Sequence, residues 1–592
     1  MSLLDGFLSL NRKVNTVSGE KQEQEEGVQG EKISPLSLEM SDEQLIVLKN
    51  KWTKAWDETE AKKELDLKQK ENEKYWLGEH YSKAQKKTGI RDQVDNLIFE
   101  ALETFLPVAT RQIAQPVVMT SKNPEAEKLA RKVSDRIVEI ADIVRLRLKI
   151  KKSVRHWALY YLGCIKLGWN MELDEIAVQT VRPQQLILDP EAITDECEYD
   201  GEYIGHYRKD TVQGLMDRFS AKASFIKEEV GKENLGTKVK YIEWWTADYL
   251  FWTLNNEVLG KAKNPHWNYD RDVPVQVGFD ELGMPITGTQ KIPGVNHFSK
   301  RHIPFAFLSV FNLGKNPFDD TNLIEQALPQ QDMINKRVRQ IDKNADNTNG
   351  GVVVTDPFTK EQVRQVANAL RHGDAVYVPG GDVNRAYKRD VAPPLPNFVY
   401  QHLQDSRQEL RGIFGTTGLS AQGIKSEETV RGKILVKGQD TDRAALIVDH
   451  IEQFYDYIFN WIVQLMIVYY DSPRQVSRSQ GTETIFSEEM IYPLMVSVKE
   501  GSLIPKDRLT LRNEAIDLWT AQAIDPLTLA ERLEEPDPQE FVRRLIMWRT
   551  NPVALLQGQS QGFQQLQTTE AGEMGVAPEQ ANQPLLQQVP IS

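Results

Sequence analysis

Stretches of helical and strand period follow one another along the chain, and their order predicts an architecture. A capping box, Ser41 with Gln44, opens a charged helix running towards Trp76, with Leu45, Leu48, Trp52 and Trp56 on one apolar edge. A second helix is predicted from Asn123-Pro124, a cap residue followed by proline at the first helical position. Leu129, Val133, Ile137, Ile140, Val144 and Leu148 then recur every three or four residues. This helix is expected to end in cations, Arg145, Arg147, Lys149, Lys151, Lys152 and Arg155, which suit a helix C-terminus or a phosphate-facing or subunit-facing patch. From about 157 to 310, runs between turn residues predict strands: KLGWNME, EIAVQTV, QQLILDP, EYIGHYR, KVKYIEWWTADYLFWTL and EVLGKAK. Prolines and glycines near FDELGMP and GTQKIPG mark 266–300 as a hairpin or surface insertion.

After Pro317 the pattern turns helical. Leu323, Ala327, Ile334, Val338 and Ile341 form the seam of a helix over 322–346, in which Pro329 predicts a kink or restart. NTNGG stops it, and GVVVT, a helix near 359–371 and AVYVPGG make a small α/β piece. A helix over 395–414 follows, with Phe398, His402, Leu410 and Ile413 near one face. GTTGLSAQG separates it from a long helix over 429–470. Within that helix Glu452, Asp456, Asn460 and Gln464 recur every four residues, so its apolar half reads as a nearly buried helix with one polar stripe rather than a membrane span. The polar segment 1–40 reads as a flexible arm, and 551–592, with ten glutamines, as a low-complexity tail. The fold class is α+β and helix-rich, with helices too long for one monomeric core.

Composition narrows the chemistry. A net charge of -13 over 592 residues excludes a general basic coat for nucleic acid, so any DNA contact is local. The two cysteines, Cys164 and Cys197, form no CxxC pair and no disulfide scaffold, as suits a reducing compartment. There is no phosphate-binding loop, HExxH or GxSxG, so no catalytic, cofactor or metal residue is assigned. Between Arg407 and Lys437 six basic residues face three acidic ones. Lys425, Arg431, Lys433 and Lys437 are the candidate polyanion contacts there. A second basic cluster, Lys336, Arg337, Arg339 and Lys343, suits pairing between subunits as well as DNA.

The order of several strings resembles one family. NLIFEALETFLPVATRQIAQPVV at 96–118, HWALYYLGCIKLGWN at 156–170 and VRPQQLILDP at 181–190 come first. IEWWT at 242–246, GKAKNP at 260–265 and HIPFAFLSVFNLGKNPFDDTNLIEQALPQQDMINKRVRQIDKNAD at 302–346 follow. Together they resemble the portal proteins of tailed bacteriophages, over roughly 50 to 470. The resemblance implies a portal-type ring subunit, the ring usually of twelve, with a wing at 41–315 and a first stem helix at 322–346. A clip at 347–392, a second stem helix at 395–414, a tunnel loop at 415–428 and a long wing helix at 429–470 follow. The wing-to-crown region and crown would occupy 471–550, and the tail would be disordered or form a barrel. Lys425, Arg431, Lys433 and Lys437 would then line a channel passing double-stranded DNA without sequence specificity. Asp356, Phe358 and Tyr377 of the clip would dock the terminase large subunit and then a head–tail adaptor. The ring would also meet the major capsid protein or scaffold, assemble in the host cytoplasm and reside in the virion at the portal vertex. It would be no enzyme, would carry no cofactor and would have no membrane partner. A non-channel virion scaffold or tail component, and a metal-dependent hydrolase with an acidic site, are the alternatives.

Overall fold

A computed structural model describes residues 39–80, 94–110, 114–120, 122–194, 197–230, 235–279, 285–348, 351–354, 361, 364, 387–390, 394–415, 430–476, 483–490, 492–498, 508–533 and 537–550. The chain divides into two units, Met1–Ile504 and Pro505–Ser592.

In the first unit the Ser41 hydroxyl accepts from the Gln44 amide while the Gln44 side chain accepts from Ser41 N, opening α1 (Asp42–Glu58). The single helix predicted towards Trp76 is two: Thr59 is extended, and α2 (Glu60–Trp76) restarts after it. The two halves have different tasks. Leu45, Trp52 and Trp56 of α1 join an aromatic core, whereas Gln69 and Asn72 of α2 donate to the carbonyls of Tyr160 and Leu159 at the end of another helix.

Asn96 caps α3 (Leu97–Ala109), and the short β1 (Pro116–Met119) follows. Asn123 caps α4 (Pro124–Ile143), with Pro124 at its start. The helix predicted to continue past Val144 breaks at Arg145, which is left-handed at φ 53°, and α5 (Leu146–Tyr160) begins. The run of cations therefore starts a helix rather than ending one. Two of its members are held within the chain: Lys149 Nζ donates to the Val178 carbonyl at 2.6 Å, and Arg155 pairs with Glu103 at 2.7 Å.

The strand-rich stretch forms two antiparallel sheets. β2 (Gly163–Asn170), buried along its whole length, lies between β3 (Glu175–Val181) and a later strand. The other sheet runs in chain order through β4 (Leu186–Leu188), β5 (Ile204–Thr211), β6 (Lys238–Trp245), β7 (Tyr249–Leu254) and β8 (Glu257–Lys263). Helices α6 (Val212–Arg218) and α7 (Ala223–Val230) interrupt it between β5 and β6. KVKYIEWWTADYLFWTL is thus a hairpin, β6 and β7 turning at Thr246, and not one strand. A buried ion pair joins the sheets: Lys166 Nζ of β2 lies 2.7 Å from Glu243 Oε1 of β6, to which Trp245 Nε1 also donates. Burial opposes the Glu243 charge, but Lys166 and Arg208 beside it more than offset this and hold the carboxyl down at about 2.

The expected insertion contains the hairpin β9 (Arg271–Phe279) and β10 (Pro285–Ile292), and β11 (Phe305–Leu308) completes the sheet of β2. Asn322 caps α8 (Leu323–Thr348), which runs through Pro329 without the predicted restart. β12 (Gly351–Val354) pairs with β13 (Tyr387–Asp390), the latter a strand that the sequence pattern did not predict, and α9 (Asn397–Ile413) follows. The 40 residues of α10 (Val430–Tyr469) extend for about 60 Å. Its apolar half is the centre of the larger core, through Ile451, Phe454, Tyr455, Ile458, Phe459 and Ile462.

The predicted polar stripe of α10 binds backbone. Gln464 Oε1 accepts from the amides of His297 and Phe298, and its Nε2 donates to the His266 carbonyl. Asn460 and Asp456 accept from Val496 and Val498. After β14 (Arg474–Val476) and β15 (Glu483–Ile485), those two valines belong to β16 (Met495–Val498), which pairs with β1. No described helix is long and apolar enough to cross a membrane.

The second unit contains α11 (Arg508–Thr520), α12 (Pro526–Arg532) and α13 (Pro538–Thr550), with Arg549 over the Trp519 ring at 5.0 Å. Its buried apolar residues among the described ones are Ala515, Leu529 and Ala530.

Candidate nucleic-acid interface

Helices α8 and α9 pack together and are joined in sequence through the β12–β13 pair. On α8 the inward face is Ile324, Ala327, Gln331, Ile334 and Asn335, all buried. Gln331 fixes its placement: Oε1 accepts from the amides of Leu97 and Ile98 at 3.1 and 3.3 Å, and Nε2 donates to the Asp95 carbonyl at 2.6 Å. Those two amides open α3 and have no intrahelical acceptor, so a buried amide side chain from α8 takes that role. Tyr75 adds a tie from α2, donating to Asp332 at 2.6 Å.

The α8 cations divide by helical geometry. At 100° per residue Lys336, Arg339 and Lys343 fall within an arc of about 60°, roughly 120° round from the buried face and spanning about 10 Å along the axis; Asp332, held by Tyr75, falls in the same arc, and Arg339 is half-buried there. Lys336 and Lys343 are exposed and, among the described residues, form no ion pair. Arg337 lies about 100° round from Lys336 and donates to Gln340 at 2.8 Å, so it stands apart from the line. The helix as a whole balances four bases with Glu325, Asp332, Asp342 and Asp346, so attraction for an anion would come from arrangement rather than net charge.

On α9 the predicted face is corrected at Phe398 and His402, while Leu410 is buried and Ile413 packs half-buried against the same core, as expected. The buried stripe is Val399, Leu403, Ser406 and Leu410, while Phe398 is 62% exposed and His402 lies on the surface. Steps of four and three occur in both registers, and Leu410 belongs to both. The chosen one buries Leu403 in place of an imidazole. Arg407 and Arg411 are also withdrawn from the basic window, pairing with Asp95 at 2.5 Å and Glu100 at 2.9 Å.

The remaining candidates fall at or beyond the limits of the described residues. Lys425, Asp356, Phe358 and Tyr377 lie outside them, as do the N-terminal arm, the glutamine-rich tail, most of the 347–392 segment and nearly all of the 415–428 loop. Arg431, Lys433 and Lys437 lie on the backbone of α10 before its described side chains begin. One turn of spacing puts Lys433 and Lys437 on one side of that helix and Arg431 well round from both. No group of three or more His, Cys, Asp or Glu among the described residues could hold a metal ion, and both cysteines are buried.

Periodicity missed the amides and carboxylates that position the helices: Gln331, Asn335, Asp95 and Glu100. Their partners lie more than 230 residues away, as with Leu97 and Gln331, and no local pattern carries that information. No protein-family model matches this chain, and a search of the curated proteins finds no match.

Proposed function

We propose that this chain is the subunit of a portal ring of the kind that tailed bacteriophages place at one capsid vertex, through which double-stranded DNA enters and leaves. The observation that carries the reading is the pairing of α8 with α9 around the small β12–β13 insert, with Lys336 and Lys343 exposed on one side of α8 beside its buried seam. A column with a docking tip needs that sequence of elements, and a channel for a polyanion needs sparse cations that contact phosphates without trapping them. Around a ring, usually twelvefold in the family, these two cations would recur in every subunit. The insert would dock the terminase large subunit and later a head–tail adaptor, and the rim would meet the major capsid protein or scaffold. The subunit itself would be no enzyme, the packaging motor being a separate protein.

Single-particle imaging of the purified protein with mass photometry tests the reading. Open rings with a central hole wide enough for a duplex of ~20 Å are expected. A closed shell, a fibre, or a monomer at every concentration and salt tested overturns it.

A further inference from the structure

Lys209 of β5 and Lys240 of β6 are direct partners in the antiparallel register, and both are exposed. Like charges directly opposite each other on neighbouring strands are destabilising. Neither lysine has an ion-pair partner among the described residues; Lys240 Nζ instead stands 5.2 Å from the centre of the Tyr207 ring. The pair lines a cleft of about 500 Å³, to which Lys70 of α2 and Arg182 after β3 also contribute. Two carboxylates share it, Asp66 and Glu73, and Asp66 is already engaged by Lys62. Four cations therefore face one uncommitted acid, and the amides of Gln184 and Gln185 add neutral donors. The positive field extends inward. The His156 ring lies 5.9 Å from that of Tyr160 in the cleft wall, and burial, aided by Lys152, Arg182 and Arg155, keeps that imidazole neutral down to about 4.

We propose that this cleft is an oligophosphate-binding site, in which successive phosphate groups bridge Lys209 and Lys240 and engage Arg182 and Lys70. Two opposed ammonium groups with no protein counter-ion are at odds with each other until an anion lies between them. An arginine fork supplies the paired donors that a phosphate accepts. The shared chemistry is a row of phosphates, whether of a free oligophosphate or of a nucleic-acid backbone. The site lies outside the two paired helices, so it holds or falls separately from the portal reading.

The test uses the full chain and tripolyphosphate, followed by titration calorimetry and thermal melting at low salt. Saturable binding is expected, weakened about tenfold or more in the Lys209→Gln/Lys240→Gln variant. That variant should melt no lower than the parent without ligand, since its like-charge contact is gone. A Lys54→Gln/Lys300→Gln control, altering cations on other surfaces, should bind as the parent does. Absence of saturable binding, or equal weakening in the control, overturns the site. Competition by a short DNA duplex would identify the backbone as the source of the phosphates, and its failure to compete a free oligophosphate; both uphold the cleft.

Discussion

Arg407 reaches Asp95 with two nitrogens, Nε at 3.1 Å and Nη2 at 2.5 Å from the same carboxylate oxygen, across 312 residues of chain. The contact ties α9 to the start of α3, at the residue whose carbonyl already accepts from Gln331 of α8. Both partners stay about 30% exposed, so solvent screens the pair. Arg407→Gln is expected to cost roughly 1 kcal/mol in urea unfolding. Gln331→Leu should cost more, about 1–3 kcal/mol, because it strands the buried Ile98 amide, while Leu97 keeps the Asp95 carbonyl at 3.0 Å. A larger loss at Arg407 than at Gln331 would reverse this ranking.

Removing one member of the buried pair between the sheets is the most damaging single change expected. Lys166→Met removes the nearer counter-charge of the buried Glu243 and leaves it Arg208 alone, 3.4 Å away, at about 3 kcal/mol. The second change, Glu243→Leu, should recover only part of this, because Arg208 then loses its carboxylate 3.4 Å away. Full recovery in the double variant would show that Arg208 contributes nothing. Glu243 titrates at about 2 in the folded chain, below its ordinary value of 4.5. Its stabilising contribution is therefore complete above that ordinary value and lost as pH falls towards 2.

Asp456 behaves in the opposite sense. Burial, with Glu452 adding to it, raises its carboxyl to about 6, although the Val498 amide donates to it. The folded chain binds this proton more tightly than the unfolded chain does, so ionisation above about 6 weakens the fold and the penalty fades as pH falls towards 4. Asp456→Asn keeps an acceptor for Val498 and cannot ionise. Its stability relative to the parent should be highest near neutral pH and decline towards pH ~4. Denaturant titrations across that range decide it, and a pH-independent difference would exclude ionisation of Asp456 as its cause.

Under the portal reading, glutamates in place of Lys336, Arg339 and Lys343 together should leave rings intact and reduce nuclease-protected DNA in assembled particles. Reversal of Lys425, Arg431 and Lys433 should act in the same direction. If the first variant loses the rings themselves, its line of cations serves pairing between copies instead of DNA.

What was legible in the sequence was local. The Ser41–Gln44 box, the Asn123-Pro124 start and the four-residue polar stripe of α10 each depend on neighbours within a turn or two, and each has its structural counterpart. The failures share a cause. Thr59 and Arg145 interrupt patterns that continue in phase on paper, because the halves on either side pack against different partners. The α9 register was ambiguous for the same reason: the seam is chosen by α8, which no window of α9 contains. The Lys209–Lys240 opposition was invisible until the strands were paired, since the two lysines are far apart in sequence and unremarkable alone.

The pairing of β1 with β16 sets an order of events during synthesis. Pro116–Met119 leaves the ribosome some 375 residues before its partner, Met495–Val498, exists, and the polar stripe of α10 waits for the same strand. Until then β1 has no strand beside it, and Asn460 and Asp456 lack their amide donors. So long-range a closure is slow to form and leaves an exposed edge open to wrong pairing. A chain stopped anywhere between those strands would therefore be a substrate for chaperones or proteases rather than a smaller working subunit, with Ile504 marking the earliest sensible place to end one.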